Sequence, residues 1–333
     1  MTGAAGSIGA ELCRQLLFYD PVRLILLDNN ESGLYDLVTE LTNDETKDIL
    51  VPVLADITHR RALARVFAGH RPQVIFHSAA YKHVPILEEH PDESIRVNIE
   101  GTQHVAELAR EYGAERFVLI STDKAVNPCS VMGASKRVCE LLMHMLAQEG
   151  THHTLFTSVR FGNVLGSRGS VVPTFDRQID AGGPVTVTHQ DMTRYFMTIP
   201  EAVNLVIHAA CLTKGDDLFM LRMGEVVRIV ELAERMIRLR GLRPYQDIPI
   251  KFTGVRPGEK LHEELSNPAE ASLPTAHPYI VELVCQHNGL QPVPFSERLN
   301  TLFQHGLDEN GDPLSQLLEI IALGEQQKAG QSL

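Results

Sequence analysis

The chain has 333 residues, 44% of them hydrophobic and 22% charged, and carries a net charge of −12. That length suffices to bury a core in one large domain or in two closely joined ones. The acidic balance excludes a general nucleic-acid or anionic-membrane binder, which needs a basic surface, but leaves room for a phosphorylated small ligand held by a local cluster of donors.

Gly3-Ala4-Ala5-Gly6-Ser7-Ile8-Gly9 opens a helical pattern through Leu12, Leu16 and Leu17 that closes at Asp20-Pro21. A phosphate-binding turn of this kind normally follows a central buried strand. Met1-Thr2 stand where that strand should be ending, so the first strand is expected to be missing. Val22 to Leu27 reads as a buried parallel strand ending in Asp28. A helix over Leu34 to Leu41 follows, then a strand from Ile49 to Leu54 leading to Asp56, a helix over Arg61 to Phe67, and the strand Val74 to His77. Asp92 to Tyr112 is predicted helical, Arg116 to Ile120 a strand, Met132 to Gln148 a long helix and Thr154 to Arg160 a strand. Strands alternating with helices at this spacing predict an α/β fold with a doubly wound, Rossmann-type parallel sheet.

Beyond Gly166 the regularity drops, and glycine and proline punctuate Gly166 to Gly169 and Ala181 to Pro184. A dinucleotide-binding domain is therefore expected over residues 1–165. A smaller substrate-binding region, interleaved with the first, is expected over 166–323, with an amphipathic helix at Val227 to Leu239. The Gln/Gly/Lys-rich end, 324–333, is expected to be a disordered tail. Five cysteines (Cys13, Cys129, Cys139, Cys211, Cys285) include no CxxC pair, which suits buried thiols in a reducing cytosol and a cytoplasmic location. No HExxH occurs and His152-His153 lacks helical ligand spacing, so no metal is expected. The chain shows no signal peptide and no long apolar span.

The GxxGxxG spacing of Gly3, Gly6 and Gly9 permits a tight turn and close approach of backbone to a pyrophosphate, with Ser7 and Ile8 opening the helix whose N–H groups face the phosphates. Three further features agree with a dinucleotide site. Asp28, ending the next strand, can accept both ribose hydroxyls of an adenosine, and its charge favours NAD over a 2′-phosphorylated cofactor, with NADP left as the second choice. Asp56-Ile57 suits an adenine edge. The small residues Ala79 and Ala80 let a cofactor lie against the backbone after the fourth strand.

The chemistry-bearing stretch is Ser121 to Lys136. It presents Thr122, Asp123 and Lys124 at the carboxyl end of a parallel strand, the edge where open α/β sheets bind ligands. Lys136 follows Met132 by one helical turn on the same face. Lys82 follows the fourth strand as a candidate for the cofactor or sugar pocket. Asn163, Arg194, Arg256 and Glu259 are candidates for a sugar diphosphate, the arginines through their fork geometry.

Gly3 to Gly9, Asp56-Ile57, Ala79 to Pro85 and Ser121 to Lys136 together resemble the extended short-chain dehydrogenase/reductase superfamily. Within it they resemble the polysaccharide-biosynthesis UDP-N-acetylglucosamine 4,6-dehydratases. The likeness continues through Arg160 to Val164, Asp191 to Phe196 and Arg256 to Leu261. Met132 stands where most of that superfamily carries a tyrosine, as in the family's large, membrane-anchored branch, so any membrane attachment is expected through segments outside this chain. The resemblance also implies a homo-oligomer, and it adds Asn98 to the expected cofactor-binding residues.

The reaction so implied oxidises C4 of the sugar, eliminates water across C5 and C6, and returns the same hydride to C6, leaving NAD unchanged. Lys124 is then the expected base at C5, an amine whose pKa burial beside another cation would lower. Asp123 is the expected acid at the departing C6 hydroxyl. Thr122 would bond the C4 oxygen, and Lys136 the nicotinamide ribose. Met132 has no titratable proton, so Asp123, or an ordered water relayed through Thr122 and the ribose, is expected to take the C4 hydroxyl proton. The alternatives are a nucleotide-sugar epimerase, which would want the missing tyrosine and would not need the Asp123-Lys124 pair, and a non-catalytic NAD(P)-binding protein.

Overall fold

A computed structural model of the chain describes residues 1–148, 153–285, 292–308 and 311–325. The amino-terminal half alternates as predicted. Helix α1 (Ser7–Leu17) leads into β1 (Leu24–Asp28), α2 (Glu31–Leu41), β2 (Leu50–Leu54), α3 (Arg60–His70) and β3 (Val74–His77). The first of these strands starts two residues later than its apolar run, because Val22 is 91% exposed on the incoming turn.

A short α4 (Val84–Glu89) precedes a composite helix: α5 (Pro91–Glu93), a π-helical stretch Ser94–Glu100, and α6 (Gly101–Glu111). The predicted helix Asp92 to Tyr112 is thus interrupted in its winding. The interruption turns Asn98 toward the β3 end, and such π segments are frequent at functional sites. Next come β4 (Arg116–Ile120), a 3₁₀ turn Asp123–Ala125, α7 (Val131–Gln148) and β5 (Leu155–Arg160).

β1 and β2 pair in parallel, as do β3, β4 and β5 in turn. Met1 and Thr2 occupy the slot of the expected first strand. Thr2 forms parallel bridges to both Leu27 and His77, with its N–H donated to Phe76 O (3.1 Å) and Leu27 N–H donated to Met1 O (2.9 Å). Two residues therefore join the two halves of the sheet. His77, fully buried there, bonds Thr2 Oγ1 (2.7 Å) and Thr102 Oγ1 (2.9 Å), and burial holds its pKa down at about 3.

The second half continues with β6 (Asn163–Val164), α8 (Val171–Asp180), β7 (Val185–Val187), β8 (Thr193–Met197), α9 (Ile199–Leu212), β9 (Asp217–Leu221), β10 (Val226–Arg228), α10 (Ile229–Leu239) and β11 (Ile250–Phe252). It ends in β12 (Glu270–Pro274), β13 (Ile280–Cys285), α11 (Pro292–His305) and α12 (Pro313–Glu325). β9 extends the main sheet in parallel beside β5, and β13 and then β12 add two antiparallel strands, with β12 at the edge. A small sheet β10-β8-β6 and the pair β11-β7 stand over the carboxyl edge. The amphipathic helix predicted from Val227 starts at Ile229, because Val226 to Arg228 pair with β8.

The main core lies between the sheet and helices α6 and α7. It is capped by Phe295, Leu299 and Leu302 of α11 and by Leu317, Ile320 and Ile321 of α12. Of the expected tail, Gly324 and Glu325 complete α12, with Glu325 paired to Arg137 at 2.6 Å; residues 326–333 lie outside the described residues, as does His152. Among the described residues no group of three or more His, Cys, Asp or Glu could hold a metal ion, and no helix is long and apolar enough to cross a membrane.

Candidate active site

One cavity of about 800 Å³ runs along the carboxyl edge of the parallel strands, from the glycine turn to the small sheet. At one end Gly6, Ser7, Ile8 and Gly9 line it. Gly3 has φ +68°, and a Cβ there would meet Ala79 N at 2.6 Å, so the turn closes tightly on the β3 end only with glycine. Helix α1 begins without a side-chain cap, which leaves its first turn available to an anion.

Asp28 accepts N–H bonds from Ala5 (2.8 Å) and Asn30 (2.9 Å), stitching the glycine turn to β1. Asp56 is held below the ordinary carboxylate range: burial opposes this, but hydrogen bonds from Thr58 and Asn29 and the charge of Arg96 outweigh it. Ile57 packs inward against Gly101 of α6. Asn98 exchanges two hydrogen bonds with the Tyr81 backbone (2.8 and 3.0 Å) and donates to Ser135 Oγ (3.1 Å). Ile57 and Asn98 thus sit behind the cavity wall, supporting the loop that carries Ala80, Tyr81 and Lys82 into it. Lys82 reaches Ser167 Oγ at 3.4 Å, and burial lowers its pKa.

The floor is formed where β4 ends. Thr122 adopts extended backbone and caps the 3₁₀ turn of Asp123–Ala125. Thr122 Oγ1 donates to Asp123 Oδ1 (2.9 Å), and Lys124 Nζ donates to the same oxygen (2.9 Å). Thr122 and Lys124 line the cavity, whereas the Asp123 carboxylate lies directly beneath them, 1% exposed, with Oδ2 lacking any partner.

Lys124 Nζ also reaches Asn163 Oδ1 and Glu263 Oε1, each at 3.2 Å. Burial pushes the amine's pKa down, but Asp123 and Glu263 more than compensate and hold it above the ordinary lysine value. The lowered pKa expected of Lys124 is therefore not found. The neighbouring cation, Arg194, is itself 3.8 Å from Glu263, and two carboxylates face the amine.

Helix α7 supplies the remaining wall. Met132 packs on Val84 and Leu87 and lines the cavity. Lys136, buried but open to the cavity, has its pKa lowered by desolvation. Arg194, also buried, donates to Thr193 O (2.7 Å) and Leu261 O (3.2 Å). Arg256 is exposed at the rim, and Glu259 accepts its backbone N–H at 3.4 Å.

Glu263 is the site residue the sequence reading missed. It lies in a stretch without helix or strand, two residues past the Arg256 to Leu261 motif, so no periodicity marks it. The structure also places Glu140 of α7 under Ser121 (2.5 Å), clamped by Arg160 at 2.7 Å.

The polysaccharide biosynthesis protein family matches residues 1–284. The capsular polysaccharide biosynthesis protein CapD of Staphylococcus aureus is 52% identical over 271 residues, covering 81% of this chain and 45% of CapD, so the chain spans about half of that relative's length. A UDP-N-acetylglucosamine 4,6-dehydratase (inverting) of Campylobacter jejuni is 32% identical over 266 residues, covering 79% of this chain and 75% of that protein. The fold is shared with DesIV, a dTDP-glucose 4,6-dehydratase of Streptomyces venezuelae solved with NAD and TYD bound. That match has a TM-score of 0.71 at 22% identity and covers 80% of this chain and 87% of DesIV.

Proposed function

The chain belongs to the polysaccharide biosynthesis protein family, and from that premise we propose that it is a nucleotide-sugar 4,6-dehydratase. With NAD bound, it converts UDP-N-acetylglucosamine to a UDP-4-keto-6-deoxy-N-acetylhexosamine for surface glycan assembly. The observation that carries this reading is the hydrogen-bonded run Thr122–Asp123–Lys124 at the floor of the cavity, with Asp123 Oδ1 shared by the hydroxyl and the amine. Homology to a dehydratase of UDP-N-acetylglucosamine supports the substrate class.

The glycine turn and the uncapped start of α1 fit a dinucleotide pyrophosphate. Asp28 and Asp56 would face the adenosine, Lys82 the cofactor or sugar, and Lys136 the nicotinamide ribose. The bound cofactor would supply reversible hydride acceptance. The chain's own residues handle protons. The C4 hydroxyl proton passes through Thr122 Oγ1 to Asp123, a relay that needs no phenol at position 132. Asp123 returns that proton through Thr122 Oγ1 to the C6 hydroxyl as water departs. Lys124 takes the C5 proton and gives a proton back to C5 after elimination. Asn163 orients the Lys124 amine, while Arg194, Arg256 and Glu259 hold the nucleotide-diphosphate end.

The test is incubation of the full chain with UDP-N-acetylglucosamine and NAD, followed by mass spectrometry and the alkaline absorbance of a 4-keto sugar. A product lighter by one water supports the reading. An epimer of unchanged mass, or cofactor binding without turnover, refutes it.

A further inference from the structure

Lys124 stands between two carboxylates, and each of them keeps one oxygen buried without a partner: Asp123 Oδ2 and Glu263 Oε2. The reaction proposed above presents this cluster with a counting problem. At rest the amine is an ammonium, so it cannot accept the C5 proton. Asp123 cannot relieve it, because Asp123 has already received the C4 hydroxyl proton through Thr122. Glu263 is the other base within reach, at 3.2 Å, and it lines the same cavity.

We propose that Glu263 is the proton acceptor that frees Lys124 for elimination, acting through Lys124 as a positioning residue; the inference rests on the dehydratase reading. The Lys124 N–H bond breaks as an O–H bond forms on Glu263, giving a neutral amine beside a neutral acid. The C5–H bond then breaks, its proton going to Lys124 Nζ and its electron pair to the C5–C6 double bond, as the C6 oxygen leaves with the proton held on Asp123. When C5 is reprotonated from Lys124, Glu263 returns its proton to the amine. The cluster starts and ends with one proton on Lys124 and none on either acid, so turnover requires no exchange with solvent at the outset.

The charged and titratable groups facing Glu263 fit this role. Lys124 approaches from the 3₁₀ turn, with Asp123 on the amine's other side, and Arg194 approaches from β8 at 3.8 Å. The Cys129 thiol, in the loop before α7, lies within the fields of Glu263 and Lys260, and burial raises its pKa. Arg194 balances one negative charge, and the proton passes along the 3.2 Å contact to Oε1, the oxygen that faces Lys124, while Oε2 has no partner to hold Glu263 ionised.

The experiment compares the pH dependence of kcat for 4-keto-sugar formation in the wild type, Glu263→Gln and Glu263→Asp, each checked for folding by circular dichroism and for retained NAD. The wild type should be flat from about pH 7 to about pH 9. Glu263→Gln should fall roughly 100-fold at about pH 7 and recover roughly tenfold per pH unit, because Lys124 must then shed its proton to water. Glu263→Asp should keep the flat profile within roughly tenfold of the wild-type rate. A Glu263→Gln profile parallel to the wild type, whether lowered or not, overturns this inference and leaves the dehydratase reading intact. A wild type that forms no 4-keto sugar overturns both.

Discussion

Gly133 of α7 lies against the main chain of Lys124: a Cβ at Gly133 would overlap the Lys124 carbonyl oxygen and reach its carbonyl carbon at 3.1 Å. The helix thus seats the Asp123–Ala125 turn by direct backbone contact. In a free helix, Gly→Ala gains about 0.5–1 kcal/mol. Here overpacking against an immobile carbonyl costs about 1–3 kcal/mol, so the clash wins. Gly133→Ala should therefore lower the unfolding free energy, by about 1–2 kcal/mol in urea denaturation, and cut keto-sugar formation more than tenfold. A variant as stable and as active as the wild type would contradict this seating.

Met132 packs on Val84 and Leu87 and supplies no proton. A volume-conserving Met132→Leu exchange should cost under about 1.5 kcal/mol. It should leave kcat within about threefold and the pH profile unchanged, since side-chain shape alone is at stake. Loss of an ionisation from the profile would show that residue 132 takes part in proton transfer after all.

Thr122 is the link between the cavity and the sunken Asp123 carboxylate. Thr122→Val keeps the shape and removes the oxygen, and should lower kcat by roughly 100-fold, the usual scale for one positioned proton-transfer group. Thr122→Ser should recover most of that loss. Equal rates for the valine and serine variants would mean that Asp123 is reached by another route.

Glu140, beneath Ser121, is held at a pKa of about 2: burial would raise it, but Arg160, then Arg137 and the Ser121 hydroxyl, pull it well below the ordinary 4.5. A depressed carboxylate pKa stabilises the fold above the unfolded value and loses that contribution as pH falls from about 4.5 toward about 2. Glu140→Gln removes one of the two carboxylates paired with Arg160, which is 1% exposed and keeps Glu270 at 2.9 Å, and should cost about 1–3 kcal/mol at neutral pH. The gap between wild type and variant should narrow with acid in this window; a pH-independent gap would contradict the assignment.

Much of this was legible before the fold. The alternation of apolar runs and helical spacing predicted the parallel sheet, and Thr122, Lys124, Met132 and Lys136 meet on one cavity, with Asp123 buried beneath it, because they flank a single strand end. What was not legible depends on long-range packing. Glu263 approaches Lys124 across 139 positions from a segment with no periodicity, and it joins Asp123 in raising the amine's pKa against the direction expected. The π-helical turn around Asn98 is set by a side chain bonding a distant backbone, which helical spacing does not encode. Helix α12 packs on α7, and α11 packs on α12 and on the π-helical stretch Ser94–Glu100, partners that lie far off in sequence from this carboxyl-terminal pair.

The claim that Lys124 exchanges the C5 proton while the C4 hydride stays within the sugar is tested most directly by turnover in deuterium oxide, with the product read by NMR. The account predicts a 4-keto-6-deoxy sugar carrying solvent deuterium at C5 and only substrate hydrogen newly placed at C6, with Lys124→Ala forming none while still binding NAD. A keto sugar without deuterium at C5, or near-normal turnover by Lys124→Ala, would contradict it.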